Sequence, residues 1–320
     1  MENLIQRYLS GDRRALARLI SYIENETDNA SQLLDKIYYR TGHAYRIGIT
    51  GPPGAGKSTI VDQLARLYRQ RQKTVGIIAV DPTSPFSGGA LLGDRIRMGD
   101  LATDPGVFIR SMATRGSLGG LAQRTLEAAD LLDGFGFEII IFETVGVGQS
   151  ELDIVEAADT TVVVLVPESG DSIQAMKAGL MEIADIFVVN KADREGAERV
   201  VLEIQYVLEF NKEARKWLPP VLQTMAHTGQ GIGNLLEQID RHNQFQYQHQ
   251  IKLAKQKKRI ENYVRQMINQ TILNQFWQPE QEEKLARQIE QILNKERSPY
   301  GVALELIAAF QNHNIYSQSR

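Results

Sequence analysis

Between Ala44 and about His242 the chain alternates two patterns. Short apolar runs rich in β-branched residues (Tyr45–Thr50, Thr74–Val80, Val107–Ser111, Phe137–Phe142, Thr160–Pro167, Ile186–Asn190 and Pro220–Thr224) read as strands. The stretches between them, such as Ser58–Gln70, Leu121–Leu132, Asp171–Glu182 and Ala197–Phe210, carry apolar residues at helical spacing. Strands that are apolar almost throughout are buried on both faces, and helices between successive strands make crossovers. Together they predict an α/β fold with a doubly wound, mostly parallel sheet.

The flanks differ. Residues 1–43 predict helices, with apolar positions Leu4, Ile5, Leu9, Leu16, Leu19, Ile20, Ile23, Leu33, Leu34 and Ile37, broken at Gly11-Asp12 and again over Asp28–Ser31. After residue 242 the strand pattern vanishes. Ile260, Val264, Met267, Ile268 and Leu273 fall on one helical face, as do Leu285, Ile289, Ile292 and Leu293, and Pro279 and Pro299 separate the helices. The predicted division is therefore an N-terminal helical segment (1–43), the α/β domain (44–242) and a C-terminal helical extension (243–320). The extension is too small for a core of its own, so it must pack on the α/β domain, on a partner chain, or on both.

The candidate chemistry sits at strand ends. Gly51-Pro52-Pro53-Gly54-Ala55-Gly56-Lys57-Ser58 follows the first strand and opens a helix, with Thr59 next. This is the G-x-x-x-x-G-K-S pattern of a phosphate loop, and its flanks set it apart from an ordinary glycine-rich turn. Glycines let backbone N–H groups curl round an anion and the helix N-terminus adds its dipole. Lys57 reaches the outer phosphates, and Ser58 ligates Mg²⁺. Asn190-Lys191-Ala192-Asp193 closes a late strand. Taken alone, its aspartate could cap a helix. Placed after a phosphate loop, Asp193 suits the ring N–H and exocyclic amine of guanine, with the Lys191 stem over the base, and an adenine would leave that carboxylate unpaired. Met225 and Ala226, within Thr224–Gly229, are candidates for a backbone loop closing over the base.

Asp81 and Glu143 end strands at the edge where such sheets hold ligands, and Asp94 lies in a loop. With Ser58 they form the candidate Mg²⁺ set, the alternative for each carboxylate being a helix cap or a surface charge. Gly146, in Glu143–Glu151, is positioned to donate its backbone N–H to a γ-phosphate. Lys57, Glu143 and Gly146 are thus the candidate catalytic residues. Gln149 either orients water or faces solvent.

Composition narrows the field further. The 320-residue chain has no cysteine, which excludes disulfides, a cysteine nucleophile and a thiolate zinc site. Its formal net charge is −3, so no global basic field points to nucleic acid. Its apolar runs fall far short of the roughly 20 residues of a membrane span, and its N-terminus does not read as a signal peptide. The expectation is a cytoplasmic protein that binds neither nucleic acid nor membrane.

Several segments, in one order, resemble the MeaB/ArgK family of P-loop GTPases. They are Val80–Pro85, Ser87–Asp94, Arg115–Gly120, Glu143–Glu151, Gly170–Gly179 and Ala184–Asp193. The resemblance implies a P-loop NTPase fold, the cofactors GTP/GDP and Mg²⁺, and docking on an adenosylcobalamin-dependent acyl-CoA mutase whose cofactor loading the GTPase gates. It implies Mg²⁺ and switch roles for Ser58, Asp81, Asp94 and Glu143. It also implies a signalling loop in which Gly170, Asp171, Gln174 and Lys177 are candidates, and a homodimer formed through the C-terminal helices. Arg95, Arg97, Arg110 and Arg115 are the arginines available as an in-cis finger, none singled out by its pattern, so slow intrinsic hydrolysis stimulated by the mutase is expected. The competing readings are a metal-delivering GTPase, a scaffold with structural nucleotide, and a kinase acting on amino-acid-binding transport proteins. The five isolated histidines give the metal-delivering reading little to work with.

Overall fold

The computed structural model describes residues 1–25, 30–81, 99–113, 120–144, 157–167, 180–210 and 216–317. The chain forms two compact units, Met1–Lys255 and Gln256–Arg320.

The first unit is built on seven parallel strands: β1 (Tyr45–Thr50), β2 (Val75–Asp81), β3 (Val107–Ala113), β4 (Ile139–Thr144), β5 (Thr160–Leu165), β6 (Ile186–Asn190) and β7 (Val221–Thr224). Their order across the sheet is β3-β2-β4-β1-β5-β6-β7, which sets β1, the strand feeding the phosphate loop, at the centre. Every residue of β1, β4, β5 and β6 is buried, as the unbroken apolar runs require. The helices that flank the sheet include α4 (Lys57–Gln70), α5 (Gly99–Thr103), α6 (Gly120–Phe135), α7 (Leu180–Ile183), α8 (Ala197–Phe210) and α9 (Ile232–Gln248). One core layer sets Ile60, Val61 and Leu64 of α4 and Leu235, Leu236 and Ile239 of α9 against Ile47, Ile141, Val162 and Val188 of the sheet. A second sets Val200, Ile204 and Leu208 of α8 against Val163, Phe187 and Val189.

The N-terminal helices α1 (Glu2–Leu9), α2 (Arg13–Glu24) and α3 (Ala30–Tyr38) belong to this unit. They bury Ile5, Tyr8, Leu16, Leu19, Ile20, Ile23, Leu33 and Ile37, and the Tyr8 hydroxyl donates to the Leu131 carbonyl of α6 at 2.7 Å. Asp12 caps α2 by accepting from the backbone N–H groups of Arg14 and Ala15. Where this segment enters β1, the buried Asp133 carboxylate accepts from the backbone N–H groups of Gly42, His43 and Ala44 at 2.7, 3.1 and 3.0 Å.

Two strand ends differ from the sequence reading in a useful way. β2 and β4 each run past the apolar stretch to include a carboxylate, because the ladder continues. Glu143 is in register with Ile49 of β1 and with Ala79 of β2, and Val80 with Thr144. Glu143 is therefore carried by a paired strand, at the strand end where the sequence placed it.

A polar cluster closes the amino edge of the sheet. His242 on α9 is buried, its Nδ1 lies 2.7 Å from the Thr160 hydroxyl, and its Nε2 lies 3.3 Å from Asp185. Trp217 covers the imidazole with ring centroids 4.9 Å apart and donates its indole N–H to the Asp185 carbonyl at 2.8 Å. Gln246 donates to the Asp159 carbonyl at 2.6 Å. The first turn of α10 (Ile251–Phe276) joins in: Lys255 donates to the Asp159 carbonyl at 3.2 Å and lies 3.5 Å from Asp185, and Lys252 stands over the Tyr45 ring.

In the second unit, α11 (Pro279–Leu293) and α12 (Pro299–Ser317) follow the two prolines. Val302 and Leu306 are buried, and the Phe276 and Phe310 rings meet edge to face at 5.2 Å. α10 buries no residue. Its apolar face, Ile260, Val264, Met267, Ile268, Ile272 and Leu273, is exposed in the single chain.

Burial lowers the pKa of His242 to about 4, partly opposed by Asp185. The unfolded chain, with an ordinary histidine near 6.5, therefore takes up a proton that the folded chain refuses, so stability falls as pH drops through that window. Between pH 7 and pH 5 the loss from this residue should be about 2 kcal/mol. Urea unfolding of wild type and His242→Gln at both pH values checks this: the wild type should show the larger pH dependence.

Candidate functional site

The phosphate loop runs from the end of β1 to the start of α4, and its shape is dictated by what it touches. Gly51 has φ +137°, and a Cβ there would lie 2.0 Å from the carbonyl oxygen of Val164 on β5. Gly56, the N-cap of α4, has φ +86°, and a Cβ there would lie 2.4 Å from Asn190 Nδ2. Both positions combine left-handed backbone with a contact that no side chain could share. Pro52 is half-buried, Pro53 and Gly54 are exposed, and Ala55 is fully buried beneath the loop. Lys57 is buried, and its ammonium donates to the carbonyls of Gly51 and Pro52 at 2.6 and 2.9 Å, within the curve of the loop. Thr59 is exposed.

Ser58, half-buried in the first turn of α4, donates its hydroxyl to Oε1 of the buried Glu143. Asp81 is the last residue of β2, two positions beyond the one in register with Glu143. The Ser58 hydroxyl and the Glu143 carboxylate are hard oxygen donors of the kind Mg²⁺ takes while keeping several waters. The donor set therefore fits that ion.

On the other side of the loop, Asn190 ends β6 and acts as a hub. Its amide NH₂ donates to the Ala55 carbonyl at 2.8 Å, and its Oδ1 accepts from the Thr224 hydroxyl at 3.0 Å and the Ala226 N–H at 3.1 Å. One buried side chain thus joins the phosphate loop, β7 and the segment after β7. That segment is a tight turn. Met225 N–H donates to the Gln230 carbonyl at 3.0 Å, Thr228 N–H to Met225 at 3.0 Å and Gly229 N–H to Ala226 at 3.2 Å. Lys191 adopts φ +57°, turning the chain so that Ala192 N–H donates to the Thr224 carbonyl at 3.1 Å. Asp193 follows, exposed at the same edge.

Phosphate loop, Ser58, Glu143, Asn190, Lys191, Asp193, Met225 and Ala226 therefore meet along the carboxyl edge of adjacent strands, where α/β sheets hold ligands. Asp94, Gly146, Gln149, Gly170, Asp171, Gln174 and Lys177 lie outside the described residues, as do Arg95, Arg97 and Arg115. Arg110 sits on β3 and is committed elsewhere, donating to both carboxylate oxygens of Glu24 and to the Ser21 hydroxyl of α2. Three residues have bracing roles that the sequence reading did not assign. Thr50, Thr144 and Thr224 are buried hydroxyls at strand ends that tie the site's segments together. The signal was a polar β-branched residue closing an otherwise apolar strand.

The profile of a family described as "Methylmalonyl Co-A mutase-associated GTPase MeaB" matches residues 16–281. The chain belongs to this family of P-loop GTPases. A Pyrococcus horikoshii protein whose name assigns it to the GTPases is 50% identical over 309 residues, covering 95% of this chain and 96% of its own. "GTPase ArgK" of Escherichia coli is 34% identical over 294 residues, 89% of this chain and 88% of its own. The "Methylmalonic aciduria type A homolog, mitochondrial" of Mus musculus is 31% identical over 338 aligned positions, 98% of this chain and 80% of its own. Among solved structures, the crystal structure of a "LAO/AO transport system kinase" matches with a TM-score of 0.72 at 27% identity, covering 97% of both chains. Among the described residues no helix is long and apolar enough to cross a membrane.

The Asn190 hub yields a direct expectation. Asn190→Ala removes three hydrogen bonds and leaves the Ala55 carbonyl and Ala226 N–H without their partner, so guanine-nucleotide affinity should fall at least tenfold and the melting temperature should drop. Fluorescent GDP titration and a thermal melt of the same preparation measure both.

Proposed function

We propose that this chain binds GTP and GDP with Mg²⁺, hydrolyses GTP slowly, and uses that cycle to chaperone an adenosylcobalamin-dependent acyl-CoA mutase of the methylmalonyl-CoA type. In this reading it gates cofactor loading and protects or reactivates the mutase. The observation that carries the reading is the Asn190 hub, which welds a complete phosphate loop to the loop bearing Asp193. Membership of the mutase-associated family supports the choice of client.

Each residue then has a task. The backbone N–H groups of the loop (Gly51–Thr59, apart from Pro52 and Pro53, which have none) and the Lys57 ammonium neutralise the β- and γ-phosphates. Mg²⁺, when bound, offsets charge on the same oxygens, and Ser58 with Glu143, Asp81 and Asp94 would hold it. Gly146 offers its N–H to the γ-phosphate and so reads its presence. Asp193 accepts from the guanine ring N–H and amine, the Lys191 stem packs over the base, and the backbone of Met225 and Ala226 closes its edge. Gly170, Asp171, Gln174 and Lys177 carry the nucleotide state to the mutase. The extension over residues 243–320 pairs with a second copy, which would cover the exposed apolar face of α10, and the protein works in the cytoplasm. Among the described residues no group of three or more His, Cys, Asp or Glu side chains gathers as a metal site, and no observation favours metal delivery or protein phosphorylation.

Two experiments test this. GTP hydrolysis, with ATP as control, should rise at least tenfold when a purified cobalamin-dependent acyl-CoA mutase is added. A rate indifferent to the mutase, with no complex formed, would remove the client. Asp193→Asn exchanges an acceptor for a donor, so GTP affinity should fall at least a hundredfold while xanthosine triphosphate, which presents an oxygen in place of the amine, gains affinity. Competition against fluorescent GDP reads the two ligands side by side.

A further inference from the structure

Beside the Ser58–Glu143 contact between α4 and β4, a side-chain bond joins the ends of β1 and β4. The Thr144 hydroxyl donates to the Thr50 hydroxyl at 3.0 Å, and the two residues are 1% and 0% exposed. The β1–β4 ladder registers Ile49 with Glu143 as its last pair, so the two threonines extend the junction one residue further, where β1 turns away into the phosphate loop. On its other side β4 is still held by the backbone of β2, with Val80 in register with Thr144. The hydroxyl pair is thus a side-chain brace on the β1 side at the level of Glu143.

The choice of residue asks for a reason. Elsewhere these two strands are built of Ile, Phe and Tyr with few polar positions, and valine has the shape of threonine. Burying two hydroxyls costs desolvation that their mutual hydrogen bond only offsets, so an apolar pair of the same shape would be about as stable. What the apolar pair would lack is direction, because a hydrogen bond fixes distance and angle where methyl packing tolerates sliding. The neighbours on either side explain why direction matters here. Thr50 leads through the loop to Ser58, and Thr144 adjoins Glu143, so the brace sets how far apart the two oxygen donors stand.

We infer that Thr50 and Thr144 are positioning residues that hold Ser58 and Glu143 in the geometry needed for Mg²⁺, an inference that rests on the guanine-nucleotide reading above. The test compares Thr50→Val, Thr144→Val, the double valine variant and the double serine variant (Thr50→Ser with Thr144→Ser). The readouts are urea unfolding, affinity for a fluorescent GDP analogue in EDTA, and the Mg²⁺ concentration that half-maximally slows release of that analogue. Each single valine strands one buried hydroxyl and should be destabilised, whereas the double valine variant should recover stability. Its Mg²⁺ half-saturation should nevertheless rise at least fivefold, while GDP affinity in EDTA stays within twofold of wild type. The double serine variant, which keeps both hydroxyls, should match wild type in Mg²⁺ response. A double valine variant with a wild-type Mg²⁺ response overturns the inference, as does one whose GDP affinity falls equally with and without Mg²⁺. If the double valine variant does not fold, Thr144→Val alone decides on the same two readouts. A wild-type protein that binds no GDP analogue at any Mg²⁺ concentration overturns the guanine-nucleotide reading itself, and this inference with it.

Discussion

The phosphate loop has room for backbone and for nothing more. A Cβ on Gly51 would fall 2.0 Å from the Val164 carbonyl, and one on Gly56 would fall 2.4 Å from the Asn190 amide. That absence of space lets the loop press against β5 on one side and the end of β6 on the other. The rest of the site follows from this closeness. Asn190 can bond Ala55 only because Gly56 has no side chain, and the same amide oxygen then draws in Thr224 and Ala226. A loop with ordinary residues at these positions would stand off the sheet, and the segments after β6 and β7 would lose their anchor.

The two edges of the sheet use polar groups differently. At the amino edge they are consumed: Asp133 takes three backbone N–H groups, and His242, Thr160, Asp185 and Gln246 answer one another behind Trp217. Burial keeps His242 neutral, so it serves as a hydrogen-bond partner rather than as a charge. At the carboxyl edge some groups are spent on structure, as in Asn190, while Thr59 and Asp193 remain exposed. Rigidity at one edge and available chemistry at the other is the arrangement expected of an enzyme whose loops act on a fixed frame.

Much of this was legible in the sequence, for identifiable reasons. The strands announced themselves because a parallel sheet buried on both faces needs unbroken apolar runs, and the phosphate loop did so because its glycines are sterically obligatory. Asp81 and Glu143 were read as strand ends and lie there, and the bounds shift by only a residue or two because backbone pairing is indifferent to side-chain polarity. Asn190 was read as part of a candidate base-binding tetrad, yet its bond to Ala55 joins residues 135 apart in the chain and has no local signature. The threonine brace and the His242 cluster were hidden for the same reason. A single buried hydroxyl or imidazole gives no sign of its partner until the fold brings the two together.

Charge compensation is where structure and proposed chemistry press hardest on each other. Transfer of a γ-phosphoryl group to water needs positive charge and donors around oxygens that already repel one another. Arg110 does not supply it, because its guanidinium grips both oxygens of Glu24 and the Ser21 hydroxyl, fastening α2 to the edge strand β3. Releasing it would leave a partly buried carboxylate without its counter-charge, a penalty of the size that breaking such pairs carries. Among the described residues Lys57 is the charge in place at the loop, and its ammonium is aimed by two of the loop's carbonyls. Under the proposed function the lysine, the row of amides and bound Mg²⁺ hold the phosphates, and a slow basal rate leaves room for further charge at the transferring group. In that proposal the further stabilisation arrives with the mutase, so slow hydrolysis alone and faster hydrolysis in complex follow from one requirement for charge at the transferring group.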